Sequence, residues 1–153
     1  RAEDHLLGGM DRLDGAAGVA WLTRAAQGGY AQAQNNLATL FERGAAGVPQ
    51  SLENAGQLYS LAANQGHGPA TLALARLLNE GTGTKADPVK AWALASLAKE
   101  RGEADASKLL EAIKLDDKQT AEAKKQLEEM KSGKVPEPKP AAATPSPASK
   151  KAK

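Results

Sequence analysis

Ala25-Ala26-Gln27-Gly28-Gly29-Tyr30-Ala31-Gln32-Ala33 recurs as Ala62-Ala63-Asn64-Gln65-Gly66-His67-Gly68-Pro69-Ala70, and more loosely as Ala98-Lys99-Glu100-Arg101-Gly102-Glu103-Ala104-Asp105-Ala106. Gly29, Gly66 and Gly102 stand 37 and 36 residues apart. A fixed period of this size marks a solenoid, in which each unit covers its neighbour's apolar face and none is stable alone. Such a chain is built to hold another molecule rather than to carry out a reaction.

Composition agrees with helices packed at close range. The chain has 153 residues, 41% of them apolar, yet only Trp21, Tyr30, Phe41, Tyr59 and Trp92 are aromatic. Abundant alanine favours helix and lets helix backbones approach closely, so the fold expected is all-α. The absence of cysteine removes disulfides, thiol catalysis and the common structural zinc sites. Residues 133–153 carry five lysines against Glu137, a net +4, which leaves −2 for the rest of a chain whose total is +2. A slightly acidic body argues against nucleic acid, whose phosphates need clustered Lys and Arg. No apolar run approaches the roughly 18 residues of a membrane span and no signal peptide is recognisable. Arg1 in place of an initiator methionine leads us to expect that a leader or a longer N-terminal part preceded it.

Start and stop signals confirm the period independently of the cassette. Asp14, Ser51 and Asp87 fall at one register, each before an apolar-periodic stretch, and all three are good N-cap residues. Pro88 follows Asp87 at the first helical position, where its missing N–H costs nothing. Gly8, Gly44 and Gly81 mark where the other helix of each pair stops. Two starts and two stops per period describe a helix-turn-helix unit.

The first helix of the unit is expected at about 31–43, 69–80 and 104–114. Its apolar positions Ala33, Leu37, Leu40 and Phe41 match Ala70, Leu74, Leu77 and Leu78, the i, i+4, i+7, i+8 spacing of a buried face. The second helix is expected at 15–28, 52–65 and 88–101. Helices this short are marginal without tertiary contacts, so stacking must hold them. The repeat domain then covers 1–115, in units 1–30 (partial), 31–67, 68–103 and 104–115 (partial). Residues 1–7 read as the remnant of a preceding helix. A capping helix follows at 116–132, opened by a capping box of Asp116 and Gln119, with Ala121, Leu127 and Met130 among its few apolar residues. From Gly133 the chain turns to Pro, Ala, Ser and Lys and cannot bury enough apolar area to offset roughly 1–2 kcal/mol of backbone entropy per residue. That segment is expected to be a disordered tail.

These residues together resemble the Sel1-like repeat, a relative of the tetratricopeptide repeat. The likeness is carried by Ala33-Gln34-Asn35-Asn36-Leu37, Gly44, Gly47-Val48-Pro49-Gln50 and Ala62 to His67, and again by Ala70 to Leu78, Gly81-Thr82-Gly83, Asp87, Ala91-Trp92 and Gly102. It implies a right-handed α-α superhelix with a concave groove for protein partners in bacterial envelope assembly, signalling or host interaction, and no catalytic residues to transfer. Alanine at Ala38 and Ala75, where the family commonly has glycine, and the degeneration of the third unit after Leu110 depart from its pattern and shorten the groove to about two full repeats.

No residue set points to chemistry. Gly81-Thr82-Gly83-Thr84-Lys85 lacks the GxxxxGK[ST] spacing of a phosphate loop and aligns with the turn after Gly44. His5 and His67 are far apart, and no nucleophile elbow, HExxH or paired-acid signature exists. Neither a cofactor, a metal nor a small-molecule substrate is therefore expected. If the first helix of each unit lines the groove, its positions outside the core are Asn35, Asn36, Thr39 and Arg43, aligned with Leu72, Ala73, Arg76 and Glu80. The partner residues expected are thus Asn35, Asn36, Thr39, Arg43, Leu72, Arg76 and Glu80, asparagine and arginine being able to read a partner's backbone or carboxylates. Lys150, Lys151 and Lys153 offer a membrane or cell-wall polymer only a weak, salt-sensitive attraction. The reading is a non-catalytic adaptor for a protein or peptide, periplasmic or exported rather than cytoplasmic. An immunity or inhibitor protein is the alternative, and a cell-wall-active enzyme is disfavoured.

Overall fold

The computed structural model describes residues 15–81, 84–133 and 135. Among them run seven helices: α1 Gly15–Gln27, α2 Ala31–Arg43, α3 Leu52–Ala63, α4 Gly68–Glu80, α5 Pro88–Glu100, α6 Ala106–Ala112 and α7 Asp117–Ser132. The expected helix remnant at 1–7, with His5, the stop at Gly8, the N-cap at Asp14 and the disordered tail apart from Gly133 and Val135 lie outside the described residues.

Helix ends fall where the side chains dictate. Ser51 Oγ accepts the Asn54 N–H at 3.2 Å, and Asp87 Oδ1 accepts the Lys90 N–H at 3.0 Å. Gly44 and Gly81 close α2 and α4 in the left-handed conformation, their N–H groups donating to the carbonyls of Leu40 and Leu77. At Gly81 the constraint is double, since φ is +71° and a Cβ there would stand 2.9 Å from that of Ala86. Gly81→Ala should cost about 1–2 kcal/mol for the backbone conformation alone, before Ala86 moves. A thermal melt by circular dichroism should show Tm lowered by several degrees, and an unchanged Tm would contradict this placement.

The two inter-helix loops differ in length but end alike. The Ser51 N–H donates to the Phe41 carbonyl at 2.8 Å, and the Asp87 N–H to the Leu78 carbonyl at 2.9 Å, an equivalent pair. In the first loop Ala46 and Gly47 are both at positive φ (57° and 81°). In the third unit the helix expected at 104–114 is shorter. Asp105 holds φ −67° and ψ −14° rather than the extended geometry of a cap, so α6 starts only at Ala106. It stops where Ile113 turns extended and buries itself. The capping box before α7 forms in full, the Asp116 carboxylate accepting the Gln119 N–H at 2.7 Å and Gln119 Oε1 accepting the Asp116 N–H at 3.1 Å.

Each of α1 to α5 packs on the next, and α7 lies back on α5. This is the stacked array of helical pairs that the period demands, an α-solenoid. Ala38, Ala55, Ala62, Ala70, Ala75, Ala91, Ala95 and Ala98 are fully buried, which lets the helices approach closely. Leu74, Leu77, Leu78 and Leu94 fill the space between them. The equivalence of the first helices holds less well in the first copy. Leu40 and Phe41 are only half-buried, at the margin of a smaller cluster formed by Ala26, Ala33 and Leu37. In α7 the buried stripe is Ala123, Leu127 and Met130, spaced i, i+4, i+7. Ala121 lies off that stripe and is exposed. No helix among the described residues is long and apolar enough to cross a membrane.

A polar clasp recurs at successive junctions with its parts exchanged. At the first, Gln34 Nε2 donates to the Ala26 carbonyl at 3.1 Å, and Gln65 Nε2 donates to Gln34 Oε1 at 2.9 Å. One unit later the same register holds Ala63, Thr71 and Arg101. There Arg101 Nη1 donates both to the Ala63 carbonyl at 2.9 Å and to Thr71 Oγ1 at 2.6 Å. The long side chain sits on the cassette where the helix offers a short one. Where the helix offers Gln34, a glutamine at 65 suffices.

Candidate functional site

Between α2 and α4, with α3 beneath, lies an open hollow of about 480 Å³. From α2 it takes Asn35, Thr39, Glu42 and Arg43, from α4 Pro69, Ala73 and Arg76, and from α3 Tyr59. Each helix offers one stripe at i, i+4, i+7: positions 35, 39 and 42 on α2, and 69, 73 and 76 on α4. These stripes are not equivalent in the repeat, because 69, 73 and 76 align with 32, 36 and 39. Neighbours in an array meet through opposite flanks, so aligned positions serve different junctions.

That rotation decides where the expected residues go. Asn35, Thr39, Arg43 and Arg76 come together here. Asn36 stands on the other flank of α2, where its Oδ1 accepts from Gln32 Nε2 at 3.0 Å. There it joins Trp21 and Tyr30 in a second hollow of about 660 Å³ whose two aromatics are 69% and 68% exposed. Leu72 is half-buried and Glu80 exposed, and neither lines the first hollow. Residue alignment missed Glu42 and Tyr59, which organise the site. A helical-wheel count from Asn35 to Glu42 would have placed Glu42 on the same flank.

Charge in the hollow is held by a tight hydrogen-bond set. Arg76 binds Glu42 with both ends of its guanidinium, Nη1 at 2.6 Å from Oε2 and Nη2 at 3.1 Å from Oε1. Tyr59 donates its O–H to Glu42 Oε1 at 2.7 Å. The Thr39 hydroxyl lies 3.2 Å from the Tyr59 oxygen and 3.0 Å from the Asn35 carbonyl, with one proton to share between them. Burial by itself pushes the Glu42 carboxyl up, but the hydrogen bonds from Arg76 and Tyr59 outweigh it and hold the group below the ordinary carboxylate range. Burial is also the main reason the Tyr59 phenol is pushed up to about 12, with the adjoining Glu42 carboxylate adding to it against Thr39. Tyr59 is therefore a fixed donor at neutral pH.

Once these internal bonds are made, the hollow still has donors to offer. A guanidinium has five N–H groups, and Arg76 spends two on Glu42. Arg43 is exposed beside it. With Arg76 paired to Glu42 and Arg43 exposed, the hollow keeps guanidinium N–H donors suited to a carboxylate or a main-chain carbonyl. At the next junction the register positions of Glu42, Tyr59 and Arg76 are Asn79, Ala95 and Ala112, so the charged set is not part of the repeat's common framework.

Gly81 and His67 stand at the two ends of α4. Gly81, the first residue of the glycine-rich stretch, ends α4 as Gly44 ends α2. His67 precedes α4, and its carbonyl accepts the Thr71 hydroxyl at 2.9 Å. No group of three or more His, Asp and Glu placed to hold a metal occurs among the described residues.

Three copies of the Sel1 repeat match the chain, at residues 5–30, 31–67 and 68–103. No curated protein matches it. Among solved structures, a protective antigen of uropathogenic Escherichia coli with an SLR fold superposes with a TM-score of 0.65 at 27% identity, over 77% of this chain and 26% of that one. A Sel1 repeat protein from Oxalobacter formigenes superposes with a TM-score of 0.59 at 24% identity, over 78% of this chain and 57% of that one. The chain thus spans about a quarter of the first relative and just over half of the second.

Proposed function

Since the chain belongs to the Sel1 repeat family, whose members generally act as scaffolds for protein–protein interaction, we propose that it is a non-catalytic adaptor that holds a protein or peptide partner in the hollow between α2 and α4. The observation that carries this reading is the charged set of Glu42, Tyr59 and Arg76, present at this junction and replaced by Asn79, Ala95 and Ala112 at the next. Half-buried ion pairs add little net stability and serve better to fix geometry. Here the pair holds Arg76 in place beside Arg43 and Asn35, pre-organising donors toward a partner's carboxylate or backbone. The proposed setting is the bacterial envelope or export route. One protein of similar fold is a protective antigen of a pathogen.

The test compares the whole chain with a variant whose ion pair is intact. Asn35→Ala with Arg43→Glu should weaken capture of a partner from native lysate, and the affinity then measured with that purified partner, by about ten-fold or more, equivalent to about 1.4 kcal/mol. Circular dichroism should be unchanged, because Arg43 is exposed and Asn35 half-buried. Equal affinity of the two chains would remove the hollow as the binding site.

A further inference from the structure

One contact joins residues 71 apart at the opposite end of the cassette helices. Asn64, which ends α3, donates from Nδ2 to the Val135 carbonyl at 3.1 Å, and its Oδ1 accepts the Val135 N–H at 2.6 Å. A single side-chain amide thus takes both main-chain groups of one residue, as a neighbouring strand would. The Val135 side chain is 3% exposed and belongs to the main core cluster. Pro136 follows it, and a residue before proline is biased to extended backbone. Main-chain bonds that any residue satisfies, together with a pocket that selects one side chain, are the two elements of extended-peptide recognition.

Val135 stands three residues beyond Ser132, the end of α7, and α7 is held to α5 in part by Lys131, whose Nζ lies 3.2 Å from Glu100. Glu100 and Asn64 occupy the same cassette register, so the chain meets successive copies of one position as it leaves α7. A short tether of this kind maintains the segment at an effective concentration of the order of millimolar. A competing peptide has to exceed that concentration or bind more tightly.

We propose that the Asn64 end of α3 is a subsite for an extended peptide bearing a β-branched aliphatic residue, occupied in cis by Val135, and that a partner peptide of this chemistry enters by displacing it. The subsite uses no residue of the hollow between α2 and α4, so failure of either proposal leaves the other standing. It adds a second point of contact to the scaffold, self-covered until a stronger segment arrives.

The test uses the full chain and a fluorescein-labelled peptide with its own residues 132–138, Ser-Gly-Lys-Val-Pro-Glu-Pro, read by fluorescence anisotropy. Val135→Asp should vacate the pocket and tighten peptide binding by about ten-fold or more relative to the unaltered chain. Adding Asn64→Ala should abolish the gain, and a peptide with Asp in place of its Val should not bind. Equal binding by the unaltered and Val135→Asp chains, or no effect of Asn64→Ala, overturns the proposal. Should Val135→Asp lose its helical circular dichroism, amide exchange on the unaltered chain decides instead. A millimolar excess of the peptide must then raise the exchange rate of the Val135 N–H by about ten-fold, and an unaffected rate overturns the proposal.

Discussion

Leu74→Ala should lower the stability of the chain by about 3–5 kcal/mol, the upper range for deleting a buried leucine side chain. Leu74 is fully buried in α4 and lies in the main cluster with residues of α2, α3 and α5. The alanines around it are already at their smallest, and the helices they join already approach closely. Collapse into the void is therefore limited, and the cavity cost adds to the lost transfer energy. Against a total stability of about 5–15 kcal/mol for a domain of this kind, the loss is large. Urea unfolding followed by far-UV circular dichroism should show a much lower midpoint. Trp21→Ala, a larger truncation at a side chain 69% exposed, should change it by no more than about 0.5 kcal/mol. A cost below about 1 kcal/mol at Leu74 would contradict its position in the core.

The second large effect concerns the clasp between repeats. Arg101→Ala removes two hydrogen bonds from one charged donor, to the Ala63 carbonyl and to Thr71 Oγ1, and should cost about 2–3 kcal/mol. Burial of the guanidinium lowers its pKa from the ordinary arginine value. The sharper measurement is a transplant. Thr71→Gln with Arg101→Gln rebuilds at this junction the pair seen at Gln34 and Gln65, and should recover at least half of what Arg101→Gln alone loses. Additive losses in the same urea unfolding cycle would show that the two junctions are not interchangeable.

Much of the fold is legible in the residues because its signals are local. Ser51 and Asp87 cap the helices they precede, Gly44 and Gly81 end the helices before them, and Asp116 with Gln119 announces α7. Each acts within one turn of helix, and the repetition of each at 36 or 37 residues removes ambiguity. The candidate site was legible only in part. Alignment compares Asn36 with Ala73 and Leu72 with Asn35, whereas a junction sets one flank of a helix against the other flank of the next. Arg76 thus appeared as a lone arginine rather than as the partner of Glu42. The Arg101 and Thr71 exchange is invisible for a related reason, since it trades length between two registers while each looks like an unremarkable substitution. Val135 was the hardest residue to anticipate. A single valine ahead of a proline in a stretch of Lys, Pro and Ala has no period, and its partner Asn64 is 71 residues away.

The return of the C-terminal end over earlier helices gives the array a direction. From α1 to α6 the principal contacts run from each helix to its successor, so a chain pulled from its N-terminal side would come apart like a row of stitches, one pair at a time. Pulled from the other side, it must first release Val135 from Asn64 and lift α7 from α5 before α6 is reached. Among the described residues the fastening lies on the C-terminal side, and a load applied there meets resistance before α6 is disturbed.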